Sequence, residues 1–473
     1  MKVKTSAHRP WLTLLMTALL AQMAWLPASQ AADAPAAPAA QAQQGEAEAA
    51  GTTTGGIPPA PSVGGGGLFD VSTGSGQQAF TPGYEASGIG GGFGGEVVGV
   101  GMTAPVRGAP IVSGGVFIYP GLGLSLGNND NVTGASANEI DSTFYSLRPQ
   151  VVAEVKTRGD RYTASYAGNF TRYQDSSNDD FDHNDLQLAG DNVFTSRAAL
   201  GWGIGYIQRT DPRGATDRPT STSPDKWHSP IARALFAYGA KGATGRIEVE
   251  ASLQDKTYDN NRTYTRSSDV ELRNLAGRFF YRVAPKTSAL VEVRDTEADY
   301  KLSTSTQDNN ERRYYVGATW EATAATTGIV KVGRLEKKYD AAGVQDFSGS
   351  SWEGTIRWQP LTYTAFDLTT SKSTSDSTDT ASYDYIVNKN ISLAWNHMWS
   401  SYLGTRVNVG RLKSDFAAST RSDETTSYGF AVMYQWRRWL QVGLDWSHTK
   451  RDSNDNANDF TRNVTMLTLE GTL

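Results

Sequence analysis

From Gly115 to Leu473 apolar and polar residues alternate in short runs, each followed by a turn, and the unit repeats about every twenty residues. Leu440-Gln-Val-Gly-Leu-Asp-Trp-Ser447 shows one run clearly, with apolar groups at the even positions and small or polar groups at the odd ones. Side chains on a strand point to opposite faces with period two, so such a run has one greasy face and one wet face. Runs of about ten residues, repeated without an intervening helical stretch, predict a membrane-spanning barrel. About 18 runs can be counted, the first near Val116–Leu126 and the last near Asn463–Leu473, each close to the length of a tilted span. The fold class expected is all-β: a transmembrane antiparallel up-and-down β-barrel. An even strand number would put both of its ends on the periplasmic side.

The turns give an independent check. Thr157-Arg-Gly-Asp160, Ala284-Pro-Lys-Thr287, Gln359-Pro-Leu-Thr362 and Arg437-Arg-Trp439 are short and occupy alternate connections. The connections between them, such as 128–141, 210–226 and 371–384, are long and rich in Asp, Asn, Ser and Thr. Short periplasmic turns alternating with longer outer loops is the barrel arrangement, and a soluble sandwich or propeller has no reason to sort loop lengths this way.

Period two then assigns the faces. Leu200, Trp202, Ile204 and Tyr206, or Tyr428, Phe430, Val432, Tyr434 and Trp436, belong to lipid, with aromatics such as Trp358, Trp399 and Trp439 placed for interfacial girdles. The opposite face carries the charge. The lumen-lining candidates are Arg148, Glu154, Glu248, Glu250, Glu292, Arg294, Arg313, Lys331, Glu353, Arg357, Asp367, Arg406 and Asp445. Charges on an inner face need water or partner charges, so some would line a wet channel and at least half would pair across neighbouring strands as scaffolding.

Composition agrees with a barrel and excludes other classes. Hydrophobic residues are 38% of the chain and mean hydropathy is −0.44, too polar for a protein of membrane helices. There is no Cys, and a net charge of −5 offers no basic face for nucleic acid. Lys2, Lys4, His8 and Arg9, an apolar stretch from Trp11 to Leu26 and Ser29-Gln-Ala31 read as a secretory signal over residues 1–31. Residues 32–115 are rich in Ala, Pro and Gly, gain little from burial, and are expected to form a disordered periplasmic leader before a barrel of 116–473.

No catalytic constellation accompanies this pattern. The five His residues (His8, His183, His228, His397 and His448) are scattered, and neither a Gly-x-Ser-x-Gly elbow nor His-Glu-x-x-His occurs. Asp452-Ser-Asn-Asp-Asn-Ala-Asn-Asp459 suggests a calcium loop, yet Ala457 and Asn463 stand where Gly and Glu are required. The expectation is a non-enzyme with no cofactor and no metal.

Leu122-Gly-Leu-Ser-Leu-Gly-Asn-Asn-Asp-Asn-Val132, Leu147-Arg-Pro149 and Tyr162-Thr-Ala-Ser-Tyr-Ala-Gly-Asn-Phe-Thr-Arg-Tyr173 resemble the opening of the outer-membrane β-barrel porins associated with exopolysaccharide export operons in Proteobacteria. The resemblance covers residues 116–210 well and the rest as barrel pattern. The chain finishes Leu469-Glu-Gly-Thr-Leu473, where most barrels end in Phe or Trp. The resemblance implies a passive outer-membrane conduit for a secreted exopolysaccharide, working with a periplasmic polysaccharide export protein in a Gram-negative cell. Tyr173, Tyr315 and Tyr402 are then candidates for stacking on sugar in the lumen, against packed or girdle roles. The alternatives are a general or sugar-selective diffusion porin for uptake, and a structural or adhesive barrel. Expected surroundings are outer-membrane lipid and lipopolysaccharide.

Overall fold

The computed structural model describes residues 110–472 apart from 158, 215–220, 241, 324 and 380–381. The secretory signal and the leader up to residue 109 lie outside the described residues. A three-residue strand, β1 (Ile111–Ser113), comes first. The barrel follows as β2 (Val116–Asn129), β3 (Ser142–Thr157), β4 (Asp160–Tyr173), β5 (Phe181–Val193), β6 (Ala198–Asp211), β7 (Asp225–Tyr238), β8 (Gly245–Tyr258), β9 (Val270–Ala284) and β10 (Thr287–Tyr300). It continues as β11 (Asn309–Thr323), β12 (Thr326–Tyr339), β13 (Phe347–Leu361), β14 (Thr364–Asp376), β15 (Tyr385–Met398), β16 (Leu403–Phe416), β17 (Ser422–Arg437), β18 (Leu440–Ser453) and β19 (Phe460–Thr472). Each barrel strand pairs antiparallel with its chain neighbours. β19 returns to β2, from Val464 opposite Asn129 to Thr472 opposite Gly121, and closes an 18-stranded ring.

The strands coincide one for one with the alternating runs. Connections at one end hold two to six residues and those at the other five to thirteen, with the start of β2 and the end of β19 both at the short-turn end. Several strands run further into the loops than alternation of apolar groups predicts. β7 starts at Asp225 and β17 at Ser422, because a ladder needs backbone pairing and not a greasy face once it has left the membrane. A short strand also lies just before the barrel expected from 116. Ile111–Ser113 turn through Gly114 and Gly115 and pair with Val116–Ile118. β3 holds the whole of one edge of β2, so β1 lies on the other edge, continuing the line of β19 where β19 stops at Gly121.

Two prolines sit inside barrel strands. Pro149 pairs with Leu122 on one side, while on the other the β3–β4 ladder skips from Leu147–Phe170 to Gln150–Ala167. Pro230 does the same in β7 between His228–Thr257 and Ile231–Gln254. Proline lacks the N–H for one rung, and the equal skip on both strands keeps register.

The outward face is apolar and exposed. Val291, Val316 and Val332, side by side on β10, β11 and β12, are typical of it, and Trp358, Trp399, Trp436 and Trp439 stand exposed near the short-turn end. Burial lies on the inner face, where Phe144, Tyr173, Phe181, Met466 and Val132 form the largest apolar cluster. Gly127 between them has no side chain for a reason. A Cβ there would stand 2.5 Å from the Phe144 ring and 2.6 Å from the Thr465 carbonyl oxygen.

Candidate functional site

The lumen is the candidate site, and its two halves differ. On β7–β13 the inner face is a belt of five cations and four carboxylates. Arg233 and Arg278 meet Glu250 at 2.9 and 2.7 Å. Arg278, Arg294 and Lys331 meet Glu292 at 3.0, 2.5 and 3.0 Å. Arg294, Arg313 and Lys331 meet Glu353 at 2.9, 3.2 and 2.6 Å, and Arg313 also binds Glu311 at 2.5 Å. The Glu292 side chain is wholly buried and that of Arg313 is 1% exposed. Ions so removed from water survive only with several opposite charges around each, which the belt provides.

Around β14–β18 the inner face is mostly neutral: Ser371, Asn390, Asn408, Gly410, Ser427 and Gln441 are representative. Charged groups are sparse there. Arg357 and Asp367 pair at 3.3 Å at its margin, and the Asn396 amide donates to Asp367 at 2.9 Å. Arg406 is on the neighbouring strand opposite Asn396. Asp445 accepts from the Thr468 hydroxyl at 3.3 Å.

All thirteen charged candidates are turned to the inner face. Glu250, Glu292, Arg294, Arg313, Lys331 and Glu353 converge in the belt. Glu248 stands at its edge, paired with Arg246 at 2.7 Å. Arg148 lies away from it, on Glu470 at 3.1 Å, and Glu154 lies 3.4 Å from Lys156. Arg233, Arg278 and Glu311 were missed, although the same two-residue alternation marks them.

The tyrosines are a correction. Tyr402 precedes β16, is 52% exposed, and meets Tyr434 edge-on at 5.7 Å on the outward face. It belongs to the girdle, because the turn before β16 has already reached the membrane boundary. Tyr173 is sealed in the Phe144 cluster. Tyr315 faces inward, but Lys331 and Arg294 cover its ring at 5.0 and 5.9 Å, and its hydroxyl is 2.7 Å from the Ser351 hydroxyl. Neither offers a free ring to a sugar.

Two structures fold over the loop end. The β13–β14 ladder stops at Trp352–Lys372, while β13 runs on beside β12 and β14 runs on beside β15. The freed tip leans inward. Thr374 donates to Glu311 at 2.6 Å, and Asp376 accepts from Tyr300 at 2.9 Å, from Tyr339 at 3.1 Å and from Asn309 at 3.2 Å, besides pairing with Lys337. On the other side, Arg451 of β18 donates to the Gly214 carbonyl at 2.9 Å, reaching a loop that starts at β6. Gly134 and Gly214, both at positive φ, touch there, and Arg462 donates to the Asn131 carbonyl at 2.7 Å beneath them. In the β8–β9 loop Arg262 forks onto Asp269 at 2.7 and 2.9 Å, and these hydrogen bonds raise the guanidinium pKa above its ordinary value. Among the described residues no group of three or more His, Asp or Glu could hold a metal ion.

A closed ring of 18 strands with an apolar outward face and a polar inner face defines an outer-membrane barrel of the porin type. The chain belongs to the family described as "Putative beta-barrel porin 2", which matches residues 105–472. No curated protein matches it in sequence. Similar solved structures include the FrpB iron transporter of Neisseria meningitidis, at 12% identity and TM-score 0.42, covering 72% of this chain and 64% of that one. The chain thus spans less than two thirds of that transporter. The outer membrane protein opdK of Pseudomonas aeruginosa has 11% identity and TM-score 0.44, with 75% and 98% covered. A bacterial polysaccharide outer membrane secretin has 10% identity and TM-score 0.34, again with 75% and 98% covered. At these levels nothing about cargo passes from them to this chain.

Proposed function

We propose that this barrel is the outer-membrane exit for a secreted exopolysaccharide. The observation that carries the reading is the division of the lumen. Nearly all the charge of β7–β13 is cancelled within ion pairs, and the wall of β14–β18 presents amides, hydroxyls and glycines. A glycan is a chain of hydroxyls with little charge. It exchanges hydrogen bonds with such a wall at small net gain, so it can slide without being held. The tip of β14 and the tied loops across the same rim suit a channel opened by its cargo or a partner better than one held open for nutrients. A periplasmic polysaccharide export protein is the partner this reading calls for.

Deleting the gene should abolish surface polysaccharide while leaving intracellular synthesis intact, measured by extraction from the cell surface and the periplasm. Unchanged surface polysaccharide would refute the reading. A large, permanently open conductance from the isolated protein in planar bilayers would favour solute uptake instead.

A further inference from the structure

One charge pattern on the outward face is not explained by the barrel itself. Just past the apolar band at the loop end, Lys372 of β14 stands opposite Lys389 of β15, and Lys389 stands opposite Lys413 of β16. Like charges in direct cross-strand register repel. Arg411 occupies the same face of β16, one outward position nearer the band. Alternation sets their direction, for Ile391 and Leu393 lead to Lys389, and Val407 and Val409 lead to Arg411 and Lys413, all four apolar groups being exposed. Among the described residues only two carboxylates pair with this patch. Asp415 lies 3.0 Å from Lys389 and 3.4 Å from Lys413, and Glu424 lies 2.6 Å from Arg411. Lys372 makes no direct ion pair among the described residues, and its ammonium donates to Ser350 at 3.0 Å beside the Trp352 ring. Other arginines of this rim are each answered by acid. Arg273 is shared by Glu271, Glu297 and Asp299, Arg312 is held by Asp295, and Arg334 by Glu336.

We propose that Lys372, Lys389, Arg411 and Lys413 bind the phosphates of a lipopolysaccharide molecule in the outer leaflet. The phosphorylated sugar of that lipid sits where its acyl chains end, the height at which this apolar wall gives way to cations. Ile391, Leu393, Val407 and Val409 would receive the chains, and three ammonium groups and a guanidinium the phosphate oxygens. A bound phosphate also removes the repulsion along the lysine row. The site rests on the outer-membrane reading and on the loop end facing outward, and it stands whether or not polysaccharide is the cargo.

The test uses the full chain in mild detergent, with bisphosphorylated lipid A, fully dephosphorylated lipid A and phosphatidylglycerol as probes, and binding followed by native mass spectrometry. The wild type should retain bisphosphorylated lipid A in preference to the other two. Lys372→Gln/Lys389→Gln/Lys413→Gln should weaken it about a hundredfold, the loss expected for three lysines at a lipid surface. Arg312→Gln/Arg334→Gln, on the same rim, should leave it unchanged. Heat-modifiable migration on gels establishes that each variant has folded, and Lys389→Gln alone is read should the triple variant not fold. Equal binding by wild type and lysine variants, an equal loss in the arginine variant, or equal retention of the three lipids would each overturn the proposal.

Discussion

Glu292 shows what a single residue decides in this wall. Its carboxylate is wholly buried and answered by Arg278, Arg294 and Lys331 on three strands. Replacing it with Ala leaves three cations facing one another without it, a loss of about 3–5 kcal/mol for a broken buried pair. Urea unfolding of the reconstituted barrel should show that drop for Glu292→Ala, and a much smaller one for Glu424→Ala on the exposed rim. On the outer face the sign of the environment reverses. Val316 stands between Val291 and Val332, exposed to lipid, and Val316→Arg should cost about 2–4 kcal/mol in the same assay. Both residues could be placed on their faces from alternation alone. That Glu292, Glu353 and Arg294 would share one knot could not, because register between strands and the reach of a side chain over a neighbouring strand leave no local trace. Tyr402 fails for a related reason, since parity carries no information past the end of a strand.

At the scale of an element, β14 departs from the rule that its sequence obeys. Thr374 and Asp376 share parity with Lys372 and would be assigned outward, yet they end among Glu311, Lys337 and Tyr300 because the strand has parted from β13. Nothing in an alternating run marks the point where a ladder unzips. Asp376 holds the leaning tip by four partners from β10, β11 and β12, so Asp376→Ala should release it. The expected result is a larger or more frequently open conductance in planar bilayers, with the urea midpoint of the barrel nearly unchanged. Equal conductance for the variant and wild type would show that the tip does not obstruct passage. The turns were far more legible. Pro285 and the short Thr157–Asp160 connection announce themselves by composition, and all 18 spans were countable from them.

For the molecule as a whole, the closed ring and the sorting of its connections into a short end and a long end followed from an even count of runs and alternating loop lengths, whereas the tying together of distant loops did not. Gly214 and Arg451 are 237 residues apart and meet only because the cylinder has closed. A Cβ on Gly214 would stand 2.7 Å from the Thr133 carbonyl oxygen, at a φ of +77°. Gly214→Val should therefore part these loops, detected as faster proteolysis near residue 214 in intact cells with the barrel still heat-modifiable. Unaltered cleavage would count against a fixed loop cover.

The hairpin of β1 and β2 carries a consequence for the seam of the ring. β19 stops at Gly121 and leaves the first residues of β2 without a partner on that edge, and Ile111–Ser113 fold back to fill it. A bare strand edge is a template for pairing with another chain, so deleting Ile111–Ser113 should raise self-association of the barrel in detergent, read by light scattering, and unchanged scattering would show that the seam needs no cover.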